Sequence, residues 1–230
     1  MSMRETALGF EIQLPDALVF FGKRDASVLH LQQRYSSLRW ARVRQTHSDI
    51  VVPSSSPSAE PLTEADAHFS GTPELALLIS TADCVPIMLH DPRRKIVAGI
   101  HAGWRGVASR LLPRTIERLV REGSEPADLR AFIGPHIQFP SFEVADEVAG
   151  QLIRSCRDFP ESARRSLRAG QQLIDLNAIV RRQLAECAVN PATTVDLGFD
   201  TRTDERFHSH RRDREQSGRQ MSFIALAKTD

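Results

Sequence analysis

Three short polar segments interrupt the apolar runs of this chain: Gln45-Thr46-His47-Ser48-Asp49, Thr81-Ala82-Asp83-Cys84 and His101-Ala102-Gly103-Trp104-Arg105-Gly106. Together they hold one thiol and two imidazoles. Strand ends that face one crevice of an open sheet are where sites form, so His47, Cys84 and His101 are candidates to converge. A thiolate with two imidazoles is a three-ligand zinc set whose fourth position is left to water or substrate. No C-x-x-C or H-E-x-x-H spacing fixes a local site, and a cysteine between apolar strands is ordinarily a small packed hydrophobe. The same side chains suit a second chemistry, with Cys84 as nucleophile, His101 as its base and Asp83 orienting a histidine. His101 to Gly106 reads as a tight turn into a helix N-terminus. There, glycines permit close backbone approach and Arg105 suits an anion such as phosphate. The plainer alternative is an ordinary turn with Trp104 packed beneath it.

Other polar residues need weighing beside these. Ile133-Gly134-Pro135-His136 is a strand and turn that could bring His136 to the same crevice. Arg202 to Arg214 contains Arg206, Arg211 and Arg212 with His208 and His210, offset by Asp204, Glu205 and Asp213. It reads as a solvated charged loop, since a nucleic-acid surface calls for aromatics beyond Phe207. Copper is disfavoured against zinc by counting: of eight histidines, only His208-Ser209-His210 forms a His-x-His pair. A trinuclear cluster with a further mononuclear site needs more.

The positioning elements follow from apolar spacing. Ala17–Phe21, ended by Gly22, reads as a strand, and two extended pieces between Trp40 and Val52 flank His47. Leu75–Ile79, Val85–Leu89 and Ile96–Ile100 are apolar runs of five, the pattern of strands covered on both faces. Pro86 suits the first residues of a strand or an edge. Val107 to Arg121 has helical spacing, with Pro113 favouring a start near Leu112. Leu129–Ile133 reads as a strand, Phe142–Arg157 as a helix, and Asp175 as the N-cap of a helix over Leu176–Ala188. Met221–Ala227 resembles a closing strand. Pro53–Pro61, with three prolines and four serines in nine residues, is a surface loop. Mixed strands and helices give an α+β or α/β protein with covered sheets.

Composition bounds the rest. The chain has 230 residues, 41% hydrophobic and 26% charged, with 30 basic against 29 acidic residues and a net charge of +1. Such balance disfavours a nucleic-acid binder that relies on bulk charge. No run approaches the ~20 apolar residues of a membrane span, and the N-terminus lacks the apolar core of a secretory signal. Three cysteines imply no disulfide framework. The expectation is one cytoplasmic domain over residues 1–230 acting on small molecules, without nucleic acid or membrane, in an oligomeric state that the sequence leaves open.

The motifs above, with Thr81-Ala-Asp-Cys84-Val-Pro-Ile, Phe142-Glu-Val, Asp175-Leu-Asn-Ala, Arg211-Arg-Asp213 and Ser217-Gly-Arg219, resemble in order the bacterial YfiH-type laccase-domain (polyphenol oxidase) family. The likeness runs from about Phe20 to the C-terminus. It implies a four-layer α/β/β/α sandwich of two mixed sheets covered by helices, with His47, Cys84 and His101 as both zinc ligands and catalytic residues. It also implies purine nucleoside phosphorylase activity on adenosine, inosine, guanosine or 5′-methylthioadenosine, together with adenosine deaminase activity. Substrate binding is then expected from Arg44, Gln45, Asp83, Arg105 and Arg211. Two positions depart from the family's pattern. Asp200-Thr201 stands where a Cys-Thr pair is usual, and His208-Ser-His210 replaces an aromatic-rich run.

Overall fold

A strand that is apolar at nearly every position is stable only with both faces covered. The computed structural model, which describes residues 1–58 and 60–228, supplies both covers. Strands are numbered along the chain. One sheet contains β1 (Ser2–Glu5), β2 (Gly9–Gln13), β3 (Ala17–Gly22), β4 (Arg39–Arg42), β7 (Leu75–Thr81) and β15 (Gln220–Leu226), ordered β1-β2-β3-β15-β7-β4. The other contains β5 (Val51–Pro53), β6 (Ala67–Ser70), β8 (Val85–Asp91), β9 (Ile96–Ala102), β10 (Arg130–Ile133) and β14 (Thr194–Asp196), ordered β14-β10-β8-β9-β6-β5. Both are mixed: β4 runs parallel to β7, β5 to β6 and β14 to β10, among otherwise antiparallel pairs. A small sheet, β11 (Glu143–Ala145), β13 (Gln171–Ile174) and β12 (Arg164–Arg168), stands apart.

Alternation along the strands distributes the apolar runs between layers. Leu75, Leu77 and Ile79 of β7 meet Met88, Val97 and Phe132 of the facing sheet. Ala76 and Leu78 point the other way, to Phe20, Trp40, Phe223 and Leu31 of helix α1 (Val28–Arg34). Ile87 and Leu89 of β8 face outward into the cluster built with α2 (Trp104–Ala108), α3 (Leu111–Arg121), α4 (Asp146–Arg154) and α5 (Leu176–Glu186). Helix, sheet, sheet and helices are thus stacked with an apolar layer at each interface, the expected four-layer α+β arrangement. None of the described helices is long and apolar enough to cross a membrane.

Most expected elements stand where spacing placed them. Asp175 caps α5 by accepting the Ala178 N–H at 2.9 Å. Pro86 is the second residue of β8, and Pro113 falls in the first turn of α3. Two helices need correction. The periodicity from Val107 to Arg121 is broken into α2 and α3 at Arg110, whose φ is +60°. Phe142–Arg157 is not one helix: Glu143–Ala145 is β11, paired with β13, and α4 begins only at Asp146. The apolar spacing there is shared by a strand and a helix, and the strand's partner lies some thirty residues downstream, beyond any local pattern. Ala59, within the Pro53–Pro61 loop, lies outside the described residues.

Besides His101, the layers bury three imidazoles, His68, His90 and His136. Ser54 Oγ lies 3.1 Å from Nδ1 of His68, whose Nε2 has no hydrogen-bond partner among the described residues. Burial brings its pKa down from 6.5 to about 4, and burial also lowers those of His90 and His136. The unfolded chain takes up a proton near pH 6.5 that the folded one refuses. The stability contributed by His68 is therefore full above pH 6.5 and is lost as pH falls toward about 4. The loss is about 3 kcal/mol. Urea midpoints measured across this window should fall, with a shallower slope in His68→Gln; equal slopes would remove His68 as a cause.

Candidate metal centre

Strand register brings the three polar segments together. β8 pairs with β9 so that Val85 faces Ala102, which sets Cys84 beside the end of β9 and Gly103. β6 pairs with β9 so that Ala67 faces Ile100, and the His101 N–H donates to the Asp66 carbonyl at 2.7 Å. The loop between β4 and β5 then carries His47 over this corner. The donor atoms of His47, Cys84 and His101 all lie within 4.8 Å of one another. His47 Nε2 is 3.9 Å from Cys84 Sγ, and the two imidazole rings meet edge to face at 4.9 Å.

Asp66, not anticipated from the sequence, underlies the cluster. Its buried carboxylate accepts the N–H groups of Thr46 (3.1 Å), His47 (3.1 Å) and Ser48 (2.6 Å) and the Ser48 hydroxyl (2.7 Å). It also bonds His101 Nδ1 at 2.7 Å. Burial alone would raise its pKa, but the bonds from His101 and Ser48 hold it down to about 2. Burial likewise opposes charge on Cys84 and His101. Their mutual attraction, with help from Asp66 and His47, overrides it, drawing the thiol below its ordinary range and lifting the imidazole above its own. His47 and Asp83 have φ of +60° and +82°. Such left-handed backbone costs a non-glycine residue roughly 1 kcal/mol or more and recurs at functional sites.

The residues fit a metal ion. A thiol poised as thiolate and two imidazoles make a three-ligand set with room for a fourth ligand from the cavity. A Cβ at Gly103 would sit 2.9 Å from His47 Cδ2 and 3.1 Å from Cys84 Sγ, so only glycine leaves these donors their space. Among the described residues this is the one group of three potential ligands, and it suits a single ion rather than a copper cluster.

The donors line a cavity of about 560 Å³ whose walls include Gln45, Asp83, Trp104, Arg105, Ile137, Phe142, Leu176, His210, Arg211 and Arg219. Four of the five expected substrate-binding residues, Gln45, Asp83, Arg105 and Arg211, are there. Gln45 clamps the backbone of Ser80 through both ends of its amide. Asp83 accepts the Thr201 hydroxyl at 2.7 Å and the Arg211 N–H at 2.6 Å, tying two segments of the late chain to the cysteine turn. Arg105 stacks on Trp104 at 4.4 Å, and this tryptophan both lines the cavity and packs against the apolar cluster beneath the turn. Arg211 lies over Phe142 and donates to the Glu143 carbonyl. Among the described residues none of Arg105, Arg211 and Arg219 has a carboxylate in ion-pair range, whereas Arg24, Arg110, Arg114 and Arg212 each have one.

Two expectations are corrected. Arg44 is exposed, pairs with Glu64 and is absent from the cavity wall, because alternation at this strand end points it outward. His136 does not face the crevice: it is buried, with Nδ1 on the Gly134 carbonyl and Nε2 beside Gln138. Asp200, at one departing position, ties the Gln138–Ser141 turn by accepting the Ser141 hydroxyl, while His210, at the other, lines the cavity. The sequence signal for Arg219 lay in Ser217-Gly-Arg219. For Asp66 there was none, since it sits alone between Ala65 and Ala67.

A family model described as multi-copper polyphenol oxidoreductase laccase matches residues 23–227. A relative from Deinococcus radiodurans named purine nucleoside phosphorylase is 32% identical over 196 residues, covering 83% of this chain and 72% of its own. One of the same name from Bacteroides thetaiotaomicron is 36% identical over 178 residues, covering 76% and 66%. The crystal structure of Bacillus licheniformis hypothetical protein YfiH superposes with a TM-score of 0.88 at 26% identity, over 97% of this chain and 98% of that one. YlmD from Geobacillus stearothermophilus shares the fold, with a TM-score of 0.90 at 22% identity over 98% and 99%. The four-layer sandwich and a family match over nearly the whole sequence agree: the chain belongs to the multi-copper polyphenol oxidoreductase laccase (YfiH-type) family.

Proposed function

We propose that this protein is a zinc-dependent purine nucleoside phosphorylase, cleaving adenosine, inosine, guanosine or 5′-methylthioadenosine with phosphate to the free base and pentose 1-phosphate. The observation that carries the reading is one cavity with two halves: the His47, Cys84 and His101 donors, and three arginines that have no carboxylate in ion-pair range among the described residues. The names of the relatives from Deinococcus radiodurans and Bacteroides thetaiotaomicron support the same activity. The partners in this reading are nucleoside and phosphate, not nucleic acid or membrane.

Zinc, which a thiolate and two imidazoles can hold with a fourth position left open, would serve as a Lewis acid toward an oxygen there. The chain's own residues do the rest. Glycosidic cleavage builds positive charge on the pentose and negative charge on the departing purine, so phosphate must be held beside the sugar. Arg105, Arg211 and Arg219 supply guanidinium forks for a phosphate dianion. Asp83 orients Arg211 through its backbone N–H. Phe142, Trp104, Leu176 and Ile137 offer apolar faces to a purine. The reading extends to deamination of adenosine, which is followed as ammonia release.

The test is zinc quantification on protein purified without added metal, beside phosphate-dependent assays on inosine and adenosine. About one zinc per chain and hypoxanthine release that requires phosphate are expected. Metal-free protein with no phosphate-dependent turnover sinks the reading. One observation favours a second reading, a metal-free cysteine hydrolase: the Asp66–His101 bond beside Cys84 has the order of orienter, base and nucleophile. Activity on amides or esters that survives chelation would select it.

A further inference from the structure

We propose that Asp66 is the positioning residue of the metal site, one carboxylate that holds both histidines in the coordinating arrangement. This rests on reading His47, Cys84 and His101 as metal ligands. Asp66 reaches the two histidines in different ways. Toward His101 it acts on the ring: Oδ1 lies 2.7 Å from Nδ1, so Nδ1 carries the proton and the Nε2 lone pair is left for the ion. Toward His47 it acts on the backbone: the carboxylate gathers the N–H groups of Thr46, His47 and Ser48, which fixes the loop while His47 keeps a φ of +60°. Its main chain contributes as well, the carbonyl accepting the His101 N–H at 2.7 Å. Cys84 alone needs no such support, since the β8–β9 register sets its place. Asp66 is fully buried, and no substrate reaches it.

Asp66→Asn keeps the shape and breaks this arrangement in either amide orientation. With the oxygen toward His101, the NH₂ group faces the N–H groups of Thr46 and Ser48, donor against donor. With the NH₂ group toward His101, it donates to Nδ1, and the proton moves to Nε2, where the ion should sit. The expected result is a rise of about 10- to 100-fold in the zinc dissociation constant, measured by competition with a chromophoric chelator. The absorption bands of the Co²⁺-loaded variant, which report donor geometry, should shift from those of the wild type. Circular dichroism of the metal-free variant establishes that it is folded.

A second measurement needs no variant. In zinc-loaded wild-type protein, ¹⁵N-resolved spectra should show Nε2 of His101 on the metal and a slowly exchanging proton on Nδ1. A folded Asp66→Asn protein with wild-type zinc affinity and an unchanged Co²⁺ spectrum would overturn the proposal. So would coordination through Nδ1 of His101, and that result decides the matter even if the variant does not fold. If the expected spectra and affinities are found but inosine is not phosphorolysed, the positioning role stands and the proposed activity falls.

Discussion

Cys84→Ala protein, purified with zinc in the medium, is expected to lose its metal on desalting and to cleave inosine at least ~10²-fold more slowly than the wild type. The estimate follows from the several kcal/mol that a bound ion contributes to stabilising charge in a transition state, at about 1.4 kcal/mol per factor of ten. The variant keeps His47, His101 and Asp66, but two imidazoles without the thiolate are a poor zinc set. It also removes the negative partner that lifts His101 above its ordinary pKa, so the metal-free site no longer stores a thiolate–imidazolium pair. The fold should be little affected, because Cys84 is only partly buried at a turn and lies outside the apolar clusters. Zinc content, phosphorolysis rate and melting temperature measured on one preparation separate these effects. Full inosine phosphorolysis by the variant would take Cys84 out of the mechanism. Loss of activity with the zinc retained would instead favour a nucleophilic thiol.

The second large effect is expected at Arg211. Burial lowers the pKa of its guanidinium, the charge of Asp83 offsets this only in part, and among the described residues no carboxylate pairs directly with the guanidinium, which leaves it open to an anionic ligand. Removing a charged hydrogen-bonding group costs about 1.5–3 kcal/mol, so Arg211→Ala should raise the phosphate KM about 10- to 100-fold. Arg211→Lys keeps the charge without the planar fork and should recover part of the loss. Arg44→Ala is the contrasting case: paired with Glu64 at the surface and outside the cavity, it should leave the phosphate KM unchanged. Initial rates at varied phosphate and saturating inosine decide between these outcomes. An unaltered phosphate KM in Arg211→Ala would place the anion elsewhere in the cavity, on Arg105 and Arg219.

Much of the architecture was legible because two-sided burial leaves a direct mark. Leu75–Ile79, Val85–Leu89 and Ile96–Ile100 are apolar at nearly every position because alternate side chains serve different interlayer clusters. Caps and prolines act within one turn of chain, so Asp175 and Pro113 were also readable. Phe142–Arg157 carries helical spacing yet is not one helix, for the opposite reason. Its strand, β11, exists because β13 pairs with it, and a pairing across thirty residues leaves no local pattern.

The chain by itself determined which side chains can do chemistry, since His47, Cys84, His101, Arg105 and Arg211 each lie in a polar segment that interrupts apolar structure. Tertiary structure alone decided which of them act together. Strand register is a long-range property, and it brought Cys84 and His101 to one corner, while the packing of segments beyond the strand ends left Arg44 exposed and His136 buried. It also supplied Asp66, a lone carboxylate whose importance arises only when three loop N–H groups and an imidazole close around it.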